Sequence, residues 1–345
     1  MISCVIHAAR DLRLERREPR EPGPGQVRLR LAAGGICGSD LHYYKSGAVG
    51  DIRVREPLVL GHEMAGIVDA RGDGVEGLAP GTRVAVNPSR PCHACRYCHA
   101  GQHHHCERML FNGSAMYMPH TQGLFEELTI VEAHQCRPVA DHLPMTLAAM
   151  AEPFAVTLHA VNRAGPLLGR TVLVTGAGPI GCLAVAASRL AGASRIITSD
   201  LLPEPLAIAR QLGSDEVIDL SSGVGELDKL AEGKGSVDAV IECSGSVKAL
   251  ESAIGATRPQ GVIVQVGALP GGPQPIPVGR IMAKEIELRG SFRFDPEFDT
   301  ALDLMTAGRV DLRPLLSHSL PLADAEKAFD LALDRQRAMK VQLVA

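Results

Sequence analysis

The chain has 345 residues, of which 46% are apolar, with 36 glycines and 23 prolines; this suits two ordinary folded domains and not a disordered segment. A formal charge of −4 with scattered basic residues gives no electrostatic footing for a nucleic-acid partner. No apolar run reaches the roughly 18 residues of a membrane span, and Met1 to His7 lacks the basic and apolar regions of a secretory signal, so the expected location is the cytoplasm, with no membrane partner.

Taken in chain order, the first 35 residues alternate apolar and polar side chains in short stretches, notably Val27-Arg28-Leu29-Arg30-Leu31 behind a Pro/Gly-rich segment. Similar fragments recur at Gly66–Ala70 and Arg83–Val86, so the first 150 residues read as small antiparallel sheets joined by long loops. Residues 147–150 and 156–161 suggest helices interrupted by Pro153. Thr171–Thr175 then reads as a buried strand running into a glycine turn and a helix from Ile180 to Leu190. A strand at Arg195–Asp200, a helix at 204–212 and strands at 216–219, 237–242 and 261–266 continue the alternation of a parallel sheet. Residues 296–308 and 323–334 look helical and are expected to lie beyond this sheet. The fold class is α/β, without internal repeats.

Four of the nine cysteines crowd into one loop, Cys92, Cys95, Cys98 and Cys106. Two-residue gaps turn successive thiolates inward, and four sulfurs fill a zinc tetrahedron completely, so this set reads as a structural zinc site. An iron–sulfur cluster or a disulfide pair are the weaker readings. His93, His99, His103, His104 and His105 share the segment at irregular spacing and read mainly as solvated loop residues.

A second mixed set is Cys37, in a glycine-rich turn, with His62 and Glu63 from Gly61-His62-Glu63, and Glu152 as a further carboxylate. Such donors bind zinc while leaving one position for substrate. Singly, each has a plainer reading as a core thiol, a turn residue or a solvated acid.

Gly61-His62-Glu63, Cys37 and the four-cysteine loop resemble the zinc-containing medium-chain dehydrogenases, above all their sorbitol-dehydrogenase-like branch. The stretches Gly34–Tyr44, Phe111–His120 and Leu288–Phe294 are similar to the bacterial L-idonate 5-dehydrogenases within it. The resemblance implies a GroES-like, β-rich catalytic domain (1–151 and 293–345) and a Rossmann domain (152–292). It implies Cys37, His62 and Glu63 as ligands of a catalytic zinc, with Glu152 a third protein ligand in other branches or a water-mediated contact in this one. Ser39 and His42 resemble the family's proton relay: the alcohol proton leaves through the Ser39 hydroxyl and passes by way of His42 to solvent. The plainer reading makes Ser39 a helix cap and His42 a surface residue. Arg293 and Tyr43 are the candidates for binding substrate, Arg293 as partner of a carboxylate, although pairing with Asp295 would equally account for it. A homotetramer is implied, with a dimer as the alternative.

Gly176-Ala177-Gly178-Pro179-Ile180-Gly181 follows a strand and opens a helix, the context that gives a G-x-G-x-x-G pattern its meaning as a pyrophosphate cradle. Pro179 is tolerated in the first turn. Asp200 ends the second strand, where a carboxylate accepts ribose hydroxyls and repels a 2′-phosphate, and Leu201 and Leu202 bring no compensating cation; NAD is expected, with NADP as the second candidate. Ser244, Val266 and Gly267 follow later strands and are placed on the nicotinamide side by their order in a Rossmann fold. The expected reaction oxidises a secondary alcohol of a small polyol or sugar acid to a ketone. Two competing readings remain: a zinc-independent quinone or enoyl reductase, and a non-enzymatic nucleotide sensor.

Overall fold

The alternation at Val27–Leu31 becomes the strand Gln26–Gly35 in the computed structural model, which describes all 345 residues. Val27, Leu29 and Leu31 point inward, while the arginines between them stay at least partly exposed. This strand is the backbone of one of two compact units, formed by Met1–Glu152, Phe298–Gly308 and Leu316–Ala345. Across its sheet run Cys136–Pro138, Arg83–Val86, Glu63–Arg71, Gln26–Gly35, Lys340–Val344 and Leu316–Pro321, and Leu128–Glu132 also pairs with Gln26–Gly35. All pairings are antiparallel except that of the last two strands. Leu29, Met64, Phe125, Phe329 and Leu343 meet in its core.

The second unit comprises Pro153–Glu297 and Arg309–Leu315. Its six-stranded, wholly parallel sheet runs Glu216–Asp219, Arg195–Asp200, Thr171–Thr175, Val237–Glu242, Thr257–Gln265, Glu287–Gly290. Chain order reverses on either side of Thr171–Thr175, so that strand and Val237–Glu242 flank a topological switch point, and ligands of such sheets bind beyond the carboxyl ends there. The sheet is buried on both faces by near-continuous apolar strands such as Val172-Leu173-Val174.

Several boundaries differ from expectation for local reasons. Pro153 does not interrupt anything: the helix starts at Ala151 and continues to Ala164, with the proline in its first turn, where its missing N–H would find no helical partner. The strand expected from 261 begins at Thr257. Leu316–Pro321 and Lys340–Val344, which were not expected, complete the first unit's sheet.

Within the second unit, Glu297 fixes the turn that follows Arg293. Its Oε1 accepts from His159 Nδ1 and Asn162 Nδ2, both at 3.0 Å, and its Oε2 accepts the Asp295 N–H at 3.0 Å. Burial alone would raise this carboxyl, but the bonds from His159, Asp295 and Asn162 outweigh it and pull the pKa down to about 2. A depressed folded-state value means stability that is complete above the unfolded pKa of about 4.3 and is lost as pH falls toward 2. Glu297→Gln is therefore expected to cost about 2 kcal/mol at neutral pH. The gap to the parent should close on acidification, read from urea midpoints at a series of pH values; a constant gap would contradict this account.

Candidate functional site

Cys37 is the N-cap of the helix Gly38–Ser46, directly after the central strand of the first unit. Asp40, three residues on and fully buried, accepts the Cys37 N–H at 3.0 Å and the Gly61 N–H at 3.2 Å on its two oxygens. One carboxylate thus ties the cysteine turn to the turn carrying His62 and Glu63. The cap belongs to Cys37 and not to Ser39, which lies half-buried in the first turn, with His42 exposed one turn later.

Glu63 opens the strand Glu63–Arg71 and stands opposite Gly35. A Cβ on Gly35 would collide with the Glu63 carboxylate, so only glycine lets the acid occupy that place. The ligand atoms of Cys37, His62 and Glu63 lie within 4.8 Å of one another, His62 and Glu63 being buried and Cys37 half-buried. Glu152, in the first turn of Ala151–Ala164, is buried and interacts electrostatically with His62 and Glu63 without joining this trio. A thiol, an imidazole and a carboxylate at this spacing suit zinc with one coordination position left over.

The electrostatics agree with a cation site. Burial pushes the Glu152 carboxyl up to about 7 and raises Asp40 as well. Burial opposes an imidazolium at His62, yet the Asp40 carboxylate and the Cys37 sulfur lift it well above its usual value. Such a negative field favours any cation placed among the donors. His62 Nδ1 lies 3.7 Å from Asp40 Oδ1, which makes the buried carboxylate the charge partner of the ring.

Two members of this site were absent from the sequence reading besides Asp40. Lys340, buried on the last strand, donates to Glu63 Oε1 at 2.6 Å and to the Ile36 carbonyl at 3.0 Å, and pairs with Glu63 Oε2 as well. Burial works against its ammonium, but Glu63 and Cys37 keep it charged. A lone lysine inside Val341-Gln342-Leu343-Val344's strand was the available signal. Phe111 packs its ring 5.5 Å from that of His62. Tyr43 is buried in the core, and its hydroxyl accepts the Ala115 N–H at 3.1 Å.

Cys92, Cys95, Cys98 and Cys106 form the other set, again with all sulfurs within 4.8 Å. The Cys106 sulfur accepts the N–H groups of Cys92 at 3.2 Å and Arg108 at 3.4 Å. The Ala94 N–H leads the bonds that lower Cys92 to about 6, whereas burial pushes Cys98 up to about 12. Four convergent sulfurs with backbone donors fit a closed zinc tetrahedron.

In the second unit, Gly176 turns at φ 86°, and a Cβ there would press on Ser244 at 2.9 Å. Gly178 is the N-cap of Pro179–Leu190, whose first-turn amides have no side-chain cap, and Gly181 packs against the Gly176 carbonyl. Ile180 is in that uncapped turn. Asp200 accepts the Ala177 N–H at 2.7 Å and the Leu202 N–H at 3.1 Å, bracing the glycine turn. The fully buried Glu242, also missed from sequence, binds the N–H groups of Ser244 and Gly245 at 2.8 and 3.2 Å, together with Thr175 Oγ1 and Gln265 Nε2. Its backbone carbonyl accepts from Val266 and Gly267 at 2.9 and 2.8 Å. Strand ends carrying Ser244, Val266 and Gly267 are thereby held around one acid. Uncapped amides beside a glycine turn fit a dinucleotide pyrophosphate.

Comparison with known proteins agrees with this geometry. The alcohol dehydrogenase GroES-like domain family matches residues 23–141, and the zinc-binding dehydrogenase family matches residues 179–307. L-idonate 5-dehydrogenase (NAD(P)(+)) of Escherichia coli K12 is 42% identical over 316 residues, 92% of this chain and 91% of that protein. Sorbitol dehydrogenase of Gallus gallus is 34% identical over 347 residues, covering 99% and 96%. The crystal structure of L-idonate 5-dehydrogenase from Escherichia coli K-12 MG1655 superposes with a TM-score of 0.95 at 39% identity, covering 100% of this chain and 98% of that one.

Proposed function

Because the chain belongs to the zinc-binding medium-chain dehydrogenases, in their sorbitol-dehydrogenase-like branch, we propose that it oxidises a secondary hydroxyl of a sugar acid, L-idonate to 5-keto-D-gluconate, with NAD preferred and NADP accepted less well. The observation that carries this reading is the convergence of Cys37, His62 and Glu63 within 4.8 Å. Zinc held there supplies Lewis-acid polarisation of the substrate hydroxyl, and the nicotinamide supplies the hydride acceptor.

The chain's own residues supply the rest. Ser39 Oγ takes up the hydroxyl proton and His42, exposed on the same helix, releases it to water. Asp40 keeps the Cys37 and His62 turns in register. Glu63 is the resting carboxylate ligand and Glu152 the reserve, with Lys340 offsetting part of their negative charge. Tyr43, whose hydroxyl accepts the Ala115 N–H, is assigned with Arg293 to substrate binding. Arg293 is assigned to the substrate carboxylate; its backbone at φ 55° is in the left-handed region, and its guanidinium stacks 4.9 Å from the Phe292 ring centroid. Gly176, Gly178, Pro179, Ile180 and Gly181 cradle the pyrophosphate, Asp200 the adenosine ribose, and Ser244, Val266 and Gly267 the nicotinamide side.

The working form is read as a cytoplasmic homotetramer, with a dimer as the alternative. Glu287–Gly290 is an edge strand, and Val278, Met282, Leu288 and Phe292 are exposed near it in sequence, a surface suited to a second copy. No helix is long and apolar enough to cross a membrane.

Initial rates for L-idonate, sorbitol, xylitol and galactitol, each with NAD and with NADP, test the substrate. The expected result is higher kcat/KM for L-idonate with NAD, and an Arg293→Ala variant that loses about tenfold on the acid with little change on sorbitol. Equal or greater efficiency with uncharged polyols would overturn the sugar-acid assignment.

A further inference from the structure

Residues 291–296 join the edge strand Glu287–Gly290 to the helix Glu297–Thr306 and carry Arg293. A segment without helix or strand, bent through φ 55° at Arg293, does not by itself keep a long side chain in one direction. Both of its ends are pinned. At the entry, the Gly290 carbonyl accepts from Arg163 Nε at 3.1 Å, Arg289 donates to the Arg163 carbonyl at 2.7 Å, and the Ser291 N–H reaches the Gln265 carbonyl at 3.0 Å. At the exit, buried Glu297 accepts from His159 Nδ1 and Asn162 Nδ2 on one oxygen and from the Asp295 N–H on the other, each at 3.0 Å.

His159, Asn162 and Arg163 follow one another at i, i+3 and i+4 in the helix Ala151–Ala164, so a single helix face supplies the side chains at both anchors. Between the anchors Phe294 is buried and Phe292 is exposed, with the Arg293 guanidinium 4.9 Å from the Phe292 ring centroid. A short neutral side chain would cap the helix that follows at less cost than a buried carboxylate. What the carboxylate adds is a hold in two directions: one oxygen grips the helix, and the other grips the turn two residues after Arg293. Bidentate recognition of a carboxylate depends on the orientation of the guanidinium plane, so that hold bears on binding as well as on folding.

We propose that Glu297, held by His159 and Asn162, is a positioning residue for recognition of a sugar acid: it fixes the turn at Asp295 and so the direction in which Arg293 presents its guanidinium to the substrate carboxylate. The inference rests on the assignment of Arg293 to that carboxylate, and Glu297 acts through Arg293.

Steady-state rates of zinc-loaded Glu297→Gln with L-idonate and with sorbitol, at saturating NAD, test it. KM for L-idonate should rise about tenfold while kcat stays within about twofold, and both constants for sorbitol should match the parent. Asn162→Ala, which removes one donor and leaves the acid in place, should raise the same KM about threefold; it carries the test if the glutamine variant folds poorly. In an Arg293→Ala background, Glu297→Gln should add less than about twofold, because both changes act through one guanidinium. Equal losses on L-idonate and sorbitol, or a parental KM for L-idonate in Glu297→Gln and Asn162→Ala while Arg293→Ala raises it, would overturn the positioning role and leave the Arg293 assignment standing. Parental kinetics of Arg293→Ala on L-idonate would instead overturn that assignment, and the positioning role with it.

Discussion

Replacing Cys37 by serine is expected to lower kcat/KM by about 10³-fold with the fold intact. Metal polarisation of an oxygen is worth several kcal/mol, and about 1.4 kcal/mol corresponds to each tenfold in rate. The substitution removes the sulfur donor from the trio with His62 and Glu63 but leaves the backbone N–H that Asp40 accepts. Buried Asp40 therefore keeps its partners, and thermal stability should change little. Zinc analysis after gel filtration, alongside initial rates, should show one of two zinc ions lost or loosely held. A serine variant with two firmly held zinc ions and parental rates would remove Cys37 from the site.

Serine at Cys98 should act in the opposite way, on stability more than on chemistry. Cys98 is buried among Cys95, Cys106 and Met109, a cluster with few apolar neighbours of its own. Loop order there depends on metal binding, which in small zinc domains is itself folding free energy. A loss of about 3 kcal/mol, or about 10 °C in Tm, is expected together with one zinc ion per chain. Protein that remains folded should keep far more activity than the Cys37 variant. Scanning calorimetry with zinc analysis checks this; an unchanged Tm with the zinc gone would show that the loop folds without metal.

What could be read ahead of the structure was short-range. Cys92 to Cys106, Gly61-His62-Glu63 and Gly176 to Gly181 declare their chemistry through local spacing, and each of these spacings is preserved as a local turn in the fold. The strands Thr171–Thr175 and Arg195–Asp200 were equally legible, because each carries a short apolar stretch rich in β-branched residues, Val172-Leu173-Val174 and Ile196-Ile197, next to a turn. The groups that went unseen act at long range. Lys340 reaches Glu63 across 277 positions of sequence, and no local pattern marks a lysine as the partner of a distant acid. Glu242 reads as an ordinary charged strand end until the fold gathers Thr175, Ser244, Gly245 and Gln265 around it. Asp40 is intermediate: its position three residues after Cys37 is capping-box spacing, but its tie to Gly61 is tertiary. Pro153 misled for a simpler reason, since a proline interrupts a helix interior but fits its first turn.

Anomalous diffraction at the zinc edge, from crystals grown with zinc and NAD, addresses the reaction's physical basis most directly. One peak is expected bonded to Cys37 Sγ, a His62 ring nitrogen and the Glu63 carboxylate, and a second among Cys92, Cys95, Cys98 and Cys106. A peak at the four cysteines with none beside Cys37 and His62, in crystals saturated with zinc, would contradict it.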